Sequence, residues 1–145
     1  MHDDFIRALR SDWQSQDHDV ASALQRLRRN RWMPHLALAL ELSYLLGKSQ
    51  QIKIEAKRII QSRGVTPGTK ARALRVLGSQ LRDEGEFREA LERFRAAVDE
   101  LRSAKPAEEL ALALCALLEC ECDSTAFDAS RATALEVRRT ALRSG

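Results

Sequence analysis

The chain has 145 residues, 44% apolar and 31% charged, and its 24 basic side chains stand against 21 acidic ones for a formal net charge of +3. This length suits one domain able to bury roughly two-thirds of its unfolded surface without a cofactor to hold it together. The charge excess is too mild to argue for nucleic acid, the longest apolar run (Leu110 to Leu118) is far short of a membrane span, and the acidic start Met1-His2-Asp3-Asp4-Phe5 does not resemble a secretory signal.

Leucine, alanine, arginine and glutamate dominate and aromatics are only 5%, so helices are favoured over strands and an all-α fold is expected. Breaks at 29–31 ahead of Pro34, from Gly64 to Gly68 around Pro67, and at 103–105 ahead of Pro106 divide the chain into pieces of 1–30, 31–64, 65–104 and 105–145. Weaker breaks near 16–17, at 47–49, at Gly85 and at 123–124 split each piece into two amphipathic runs, so each reads as a helical hairpin within a single domain.

In chain order, a helix is predicted over 4–14 with Phe5, Ala8, Leu9 and Trp13 on one face, and a second over 19–29 with Val20, Ala23, Leu24 and Leu27. The third opens with Pro34 in its first turn, where a missing amide hydrogen costs nothing, and closes at Gly47. The fourth carries Ile52, Ala56, Ile59 and Ile60 and stops at Gly64. The fifth runs from Pro67 through Leu74, Leu77 and Leu81 to Gly85, and the sixth carries Phe87, Ala90, Leu91, Phe94, Ala97, Val98 and Leu101. Pro106 starts a seventh helix, apolar almost all round, and Asp123 or Ser124 is expected to cap an eighth bearing Phe127, Ala134, Leu135 and Leu142.

In the third piece, Leu74, Leu77, Gly78 and Leu81 are followed by Ala90 and Phe94 in an order and spacing that resemble the tetratricopeptide repeat. Gly78 and Ala90 are small where the two helices of a hairpin approach, and Leu74, Leu81 and Phe94 fill the remaining space. Leu74 and Leu81 stand where that family often has Trp and Tyr, and Arg102 stands at its proline position. The resemblance extends more loosely over 37–70 and 105–138. It implies a right-handed stack of about four antiparallel hairpins, a TPR-like α-solenoid, acting as a protein-binding adaptor, chaperone or assembly factor of the kind common in bacteria.

The resemblance further implies that the first helix of each hairpin lines a concave groove for a peptide. Arg72, Arg75, Ser79 and Arg82, spaced three, four and three apart, form one basic stripe away from the leucine face. The same register offers Leu38, Glu41 and Leu45 on one side, and Glu108, Ala111 and Cys115 on the other. A groove with a cationic centre and partly apolar flanks is thus expected, and since guanidinium groups grip carboxylates in a planar fork, an acidic segment or free carboxyl terminus is the ligand it suits. The alternative is a solvated arginine face with no ligand.

Two further readings come from other features. The cluster Arg26, Arg28, Arg29 and Arg31, with Lys53, Lys57, Arg58, Arg63 and the adjacent Trp32, favours nucleic acid, although cations near helix ends also complement the helix dipole. The apolar run from Leu110 to Leu118 favours burial between neighbouring helices, or, where exposed, a surface for an oligomerising subunit or homodimer. Cys115, Cys120 and Cys122 lack the paired spacing of a zinc site and lie far from His2, His18 and His35, so no metal or cofactor is expected and the thiols suit a reducing, cytoplasmic setting. No phosphate loop, nucleophile elbow or zinc-protease motif is present, and no enzymatic activity is expected.

Overall fold

The computed structural model describes residues 25, 28, 29, 32–47, 51–102, 104 and 107–144. They form helices α1 (Met33–Leu45), α2 (Ile52–Gln61), α3 (Pro67–Asp83), α4 (Phe87–Arg102), α5 (Ala107–Asp123) and α6 (Phe127–Ser144), with no strand among the described residues. Of the two helices expected before residue 30, that over 4–14 lies outside the described residues, and of 19–29 only Gln25, Arg28 and Arg29 are described, all helical. Each helix packs on its chain neighbours, while α1 and α5 both reach α3, so that α3 touches α1, α2, α4 and α5.

Local chemistry accounts for the helix ends. Thr66 caps α3, its Oγ1 accepting the Thr69 amide at 3.3 Å, and Pro67 follows in the first turn, where no intrahelical bond is lost. The turns after α3 and α5 have one construction. Behind α3, the Glu86 amide donates to the Leu81 carbonyl and the Gly85 amide to that of Arg82; behind α5, the Ala126 amide donates to Glu121 and the Thr125 amide to Cys122. Both are Schellman closures, which need a left-handed residue. Gly85 supplies it at φ 82°, and Thr125 adopts φ 61° despite its branched side chain. The expected cap at Asp123 or Ser124 is therefore corrected. Asp123 is the last residue of α5, and Ser124 donates its hydroxyl back to the Glu121 carbonyl at 3.1 Å.

The core runs through α1 to α5. Leu40, Ile52, Ile59, Leu74, Leu77, Phe94, Val98, Leu101 and Leu114 are all buried in one cluster, and a small satellite of Ala39 and Leu42 packs with Leu38 and Leu46. The close approach expected at Gly78 and Ala90 is present: Ala90 and Phe94 are fully buried, and a Cβ built on Gly78 would lie 2.8 Å from Phe94 Cε1. An aromatic ring thus lies on the bare backbone of α3. The ring is enclosed on all sides, so it has nowhere to retreat.

Two stability measurements follow. Gly78→Ala gains about 1 kcal/mol of helix propensity in an open helix, but here the overpacking against Phe94 outweighs it and denaturation is expected to show a net loss of about 1 kcal/mol. In a Phe94→Leu background the sign should invert; the same loss in both backgrounds would refute the contact. Thr125→Gly removes the left-handed strain of a branched residue and should raise unfolding free energy by about 1 kcal/mol, an unchanged or lower value counting against the turn geometry.

Candidate functional site

Between Ala71 and Arg82, burial of α3 against its neighbours leaves one strip reachable, and that strip is the arginine stripe. Arg72, Arg75, Ser79 and Arg82 are all half-buried, whereas Ala71, Ala73, Leu74, Val76, Leu77, Gly78, Gln80 and Leu81 are buried. On α1, Leu38 and Glu41 are half-buried and Leu45 is 51% exposed; on α5, Glu108 and Cys115 are exposed and Ala111 is half-buried. The solvent-facing position beside Ala111 is Leu112, 49% exposed, which the register drawn from sequence passes over. The helix read as apolar all round thus buries Ala113, Leu114, Leu117 and Cys120 and shows Leu112 and Cys115 to solvent.

The arginines do not stand free. Arg75 donates to Glu41 Oε1 at 2.6 Å, Arg72 lies 3.5 Å from Glu41 Oε2 through Nε, and Arg72 Nη2 also donates to Glu109. Arg72 therefore bridges α1 and α5 across α3. Further along, Arg82 donates to Glu119 at 2.7 Å and approaches Asp123 at 3.9 Å, and the Tyr44 hydroxyl donates to Asp83 at 2.7 Å. The hydrogen bond to Glu119 makes the Arg82 guanidinium still harder to deprotonate, while burial, seconded by Asp83, pushes the Tyr44 hydroxyl above its ordinary value.

This ladder changes the expected charge of the face. Arg72, Arg75 and Arg82 are matched by Glu41, Glu109 and Glu119, so the centre is charge-balanced and not cationic. Sequence reasoning placed the arginines on one stripe but missed Glu109, Glu119 and Tyr44 as their neighbours. A signal for the acids exists: Arg72 to Glu109 and Arg82 to Glu119 are both 37 residues apart, two helices further along the chain.

The nucleic-acid cluster is partly neutralised as well. Arg28 lies 3.4 Å from Glu55 and donates to the Ser43 hydroxyl, and Lys53 pairs with Glu84; Lys57, Arg58 and Arg63 are exposed, and Arg26 and Arg31 lie outside the described residues. Trp32 is 60% exposed and meets the His35 ring edge-on at 4.5 Å, where burial lowers the His35 pKa. Cys115 and Cys122 are exposed free thiols, while burial raises the pKa of Cys120. Among the described residues no helix is long and apolar enough to cross a membrane, and no three His, Cys, Asp or Glu side chains gather as metal ligands. Compared with known proteins, the chain matches no family model, no curated protein and no solved structure.

Because Glu41 and Arg75 are only about one-fifth exposed, at 20% and 18%, their attraction is less screened than that of a surface pair. A double-mutant cycle with Glu41→Gln and Arg75→Gln is expected to give a coupling of about 1 kcal/mol that survives moderate salt. A coupling indistinguishable from zero would remove the ladder as a stabilising element.

Proposed function

We propose that the chain is a tetratricopeptide-like stack of helical hairpins that works as a protein-interaction module, an adaptor, chaperone or assembly factor, and that a partner segment lies across α1, α3 and α5. The observation that carries this reading is the strip of half-buried guanidiniums held in place beside the half-exposed Leu45 and Leu112. Interfaces favour such a combination of pre-positioned arginine and apolar contacts, because little side-chain freedom remains to be lost on docking. The contacts of α3 with α1, α2, α4 and α5 support the hairpin stack. Free thiols at Cys115 and Cys122 suit a reducing, cytoplasmic setting.

An acidic segment gains its hold by exchange: its carboxylates take over Arg72 and Arg75 from Glu41 and Glu109. Intramolecular competition of this kind lowers affinity and sharpens selection, since only a segment carrying carboxylates at the right separation replaces both partners at once. The charge balance of the ladder also favours a second reading, in which the arginines clamp α1, α3 and α5 together and bind nothing.

Affinities for acidic peptides separate the two. If exchange operates, Glu41→Gln frees Arg75 and tightens binding by about tenfold, the equivalent of one charge-assisted hydrogen bond, while Arg75→Glu abolishes it. Equal affinity in wild type and both variants, with only thermal stability changed, leaves the clamp alone.

A further inference from the structure

A second concavity lies on another side of α5. Glu121 follows Glu119 by two positions, about 200° round a helix, so it points away from the ladder. There α4 and α6 flank a cleft of about 440 Å³ with α5 as its floor, a size typical of small-ligand sites. Its apolar lining comes from buried Val98 and Leu117, and from Ala129 and Ala132 on α6, which are too short to fill the space.

Glu121 lines this floor with a side chain only 3% exposed. Its Oε2 has no hydrogen-bond partner, and Oε1 has one distant ion-pair contact, 3.8 Å from exposed Arg95. The other polar groups of the lining are engaged elsewhere. Thr133 donates to the Ala129 carbonyl at 3.1 Å, and Arg102 holds Glu136 at 3.0 Å and Asp99 at 3.2 Å. A buried carboxylate so poorly satisfied is costly. The fold does not call for it, since Leu81 occupies the corresponding position in the matching turn behind α3 and is buried as an ordinary apolar residue.

We propose that this cleft binds a protonated primary amine on an aliphatic stem, with the buried carboxylate of Glu121 as its anchor. The stem lies on Leu117, Val98 and the two alanines. The ammonium meets the unpartnered oxygen, brought to the cleft by rotation about the soft terminal torsion of the side chain. Asp99, Glu121 and Glu136 outnumber Arg95 and Arg102 around the lining, which favours a cation. An ammonium fits better than a guanidinium because only one oxygen is open, and a planar fork needs two. The amine has two sources with the same chemistry, a free alkylamine or a lysine side chain presented by another protein.

NMR titration of isotope-labelled protein tests this, with n-butylamine in one arm, a short lysine-containing peptide in a second, and n-butanol as the uncharged control. Saturable shifts are expected at residues around Leu117, Glu121 and Thr133 in at least one amine arm and none with butanol. Glu121→Gln should weaken binding by about tenfold, the loss of a charge-assisted contact, without lowering the melting temperature. Ala132→Leu, which narrows the cleft and leaves the carboxylate in place, should weaken it as well. Tighter binding of the peptide than of butylamine assigns the site to a partner's lysine, and the reverse order to a free amine. Shifts away from the cleft, equal response to butanol, or undiminished binding in both variants overturns the proposal.

Discussion

The contact on which the rest of the structure depends is the Phe94 ring lying against the bare backbone of α3 at Gly78. A side chain at position 78 would hold α4 away, and the enclosed cluster around Leu74, Leu77, Phe94 and Val98 would open. With α4 drawn in on one side and α1, α2 and α5 packed on others, α3 is covered over most of its circumference. What remains is a narrow strip, and its composition follows from that confinement. Long arginine stems cover apolar surface while their heads reach outward, and a head that is half-buried needs an anion nearby. The neighbours α1 and α5 supply those anions as Glu41, Glu109 and Glu119.

The ladder is thus as much a product of packing as a candidate for recognition. A residue such as Arg72, placed between Glu41 and Glu109, ties the position of α1 to that of α5 through one guanidinium. Any ligand that removes one of these acids from its arginine also loosens a link between helices. Any ligation of this face would consequently be linked to the stiffness of the helix packing, with Leu45 on one rim and Leu112 on the other.

Helix positions were legible in the sequence because the signals are local. Prolines at 34 and 67, glycine at 85 and leucines three and four apart mark α1, α3 and α4 to within a residue or two. The small sites at 78 and 90 were legible for the same reason, since the spacing that pairs them with Phe94 lies within two consecutive helices. The start of α6 was not, because its preceding turn uses Thr125 in a conformation that usually announces itself by glycine. The charge of the arginine face was not legible either. A stripe is visible along one helix, but its neutralisation depends on the register between helices, which places Glu109 and not Glu108 against Arg72.

The hardest residue to read was Glu121, set in the run Cys-Glu-Cys-Asp at the end of an apolar helix, where composition alone suggests a solvated acid. Comparison of the two Schellman turns explains its weight. Their backbones close with the same pair of hydrogen bonds, and the carbonyl that accepts the outer one belongs to Leu81 in the first turn and to Glu121 in the second. Both side chains are buried. A leucine at this position contributes to the core, whereas a carboxylate with an unpartnered oxygen subtracts from stability. Because the turn forms equally well with either residue, backbone geometry cannot be the reason for the acid, and the alanines of α6 leave open the space into which that carboxylate can act. Fold and charge therefore separate at this point of the molecule: the packing asks for an apolar side chain, and the chemistry present is that of a carboxylate whose contact with Arg95, at 3.8 Å, reaches one oxygen only.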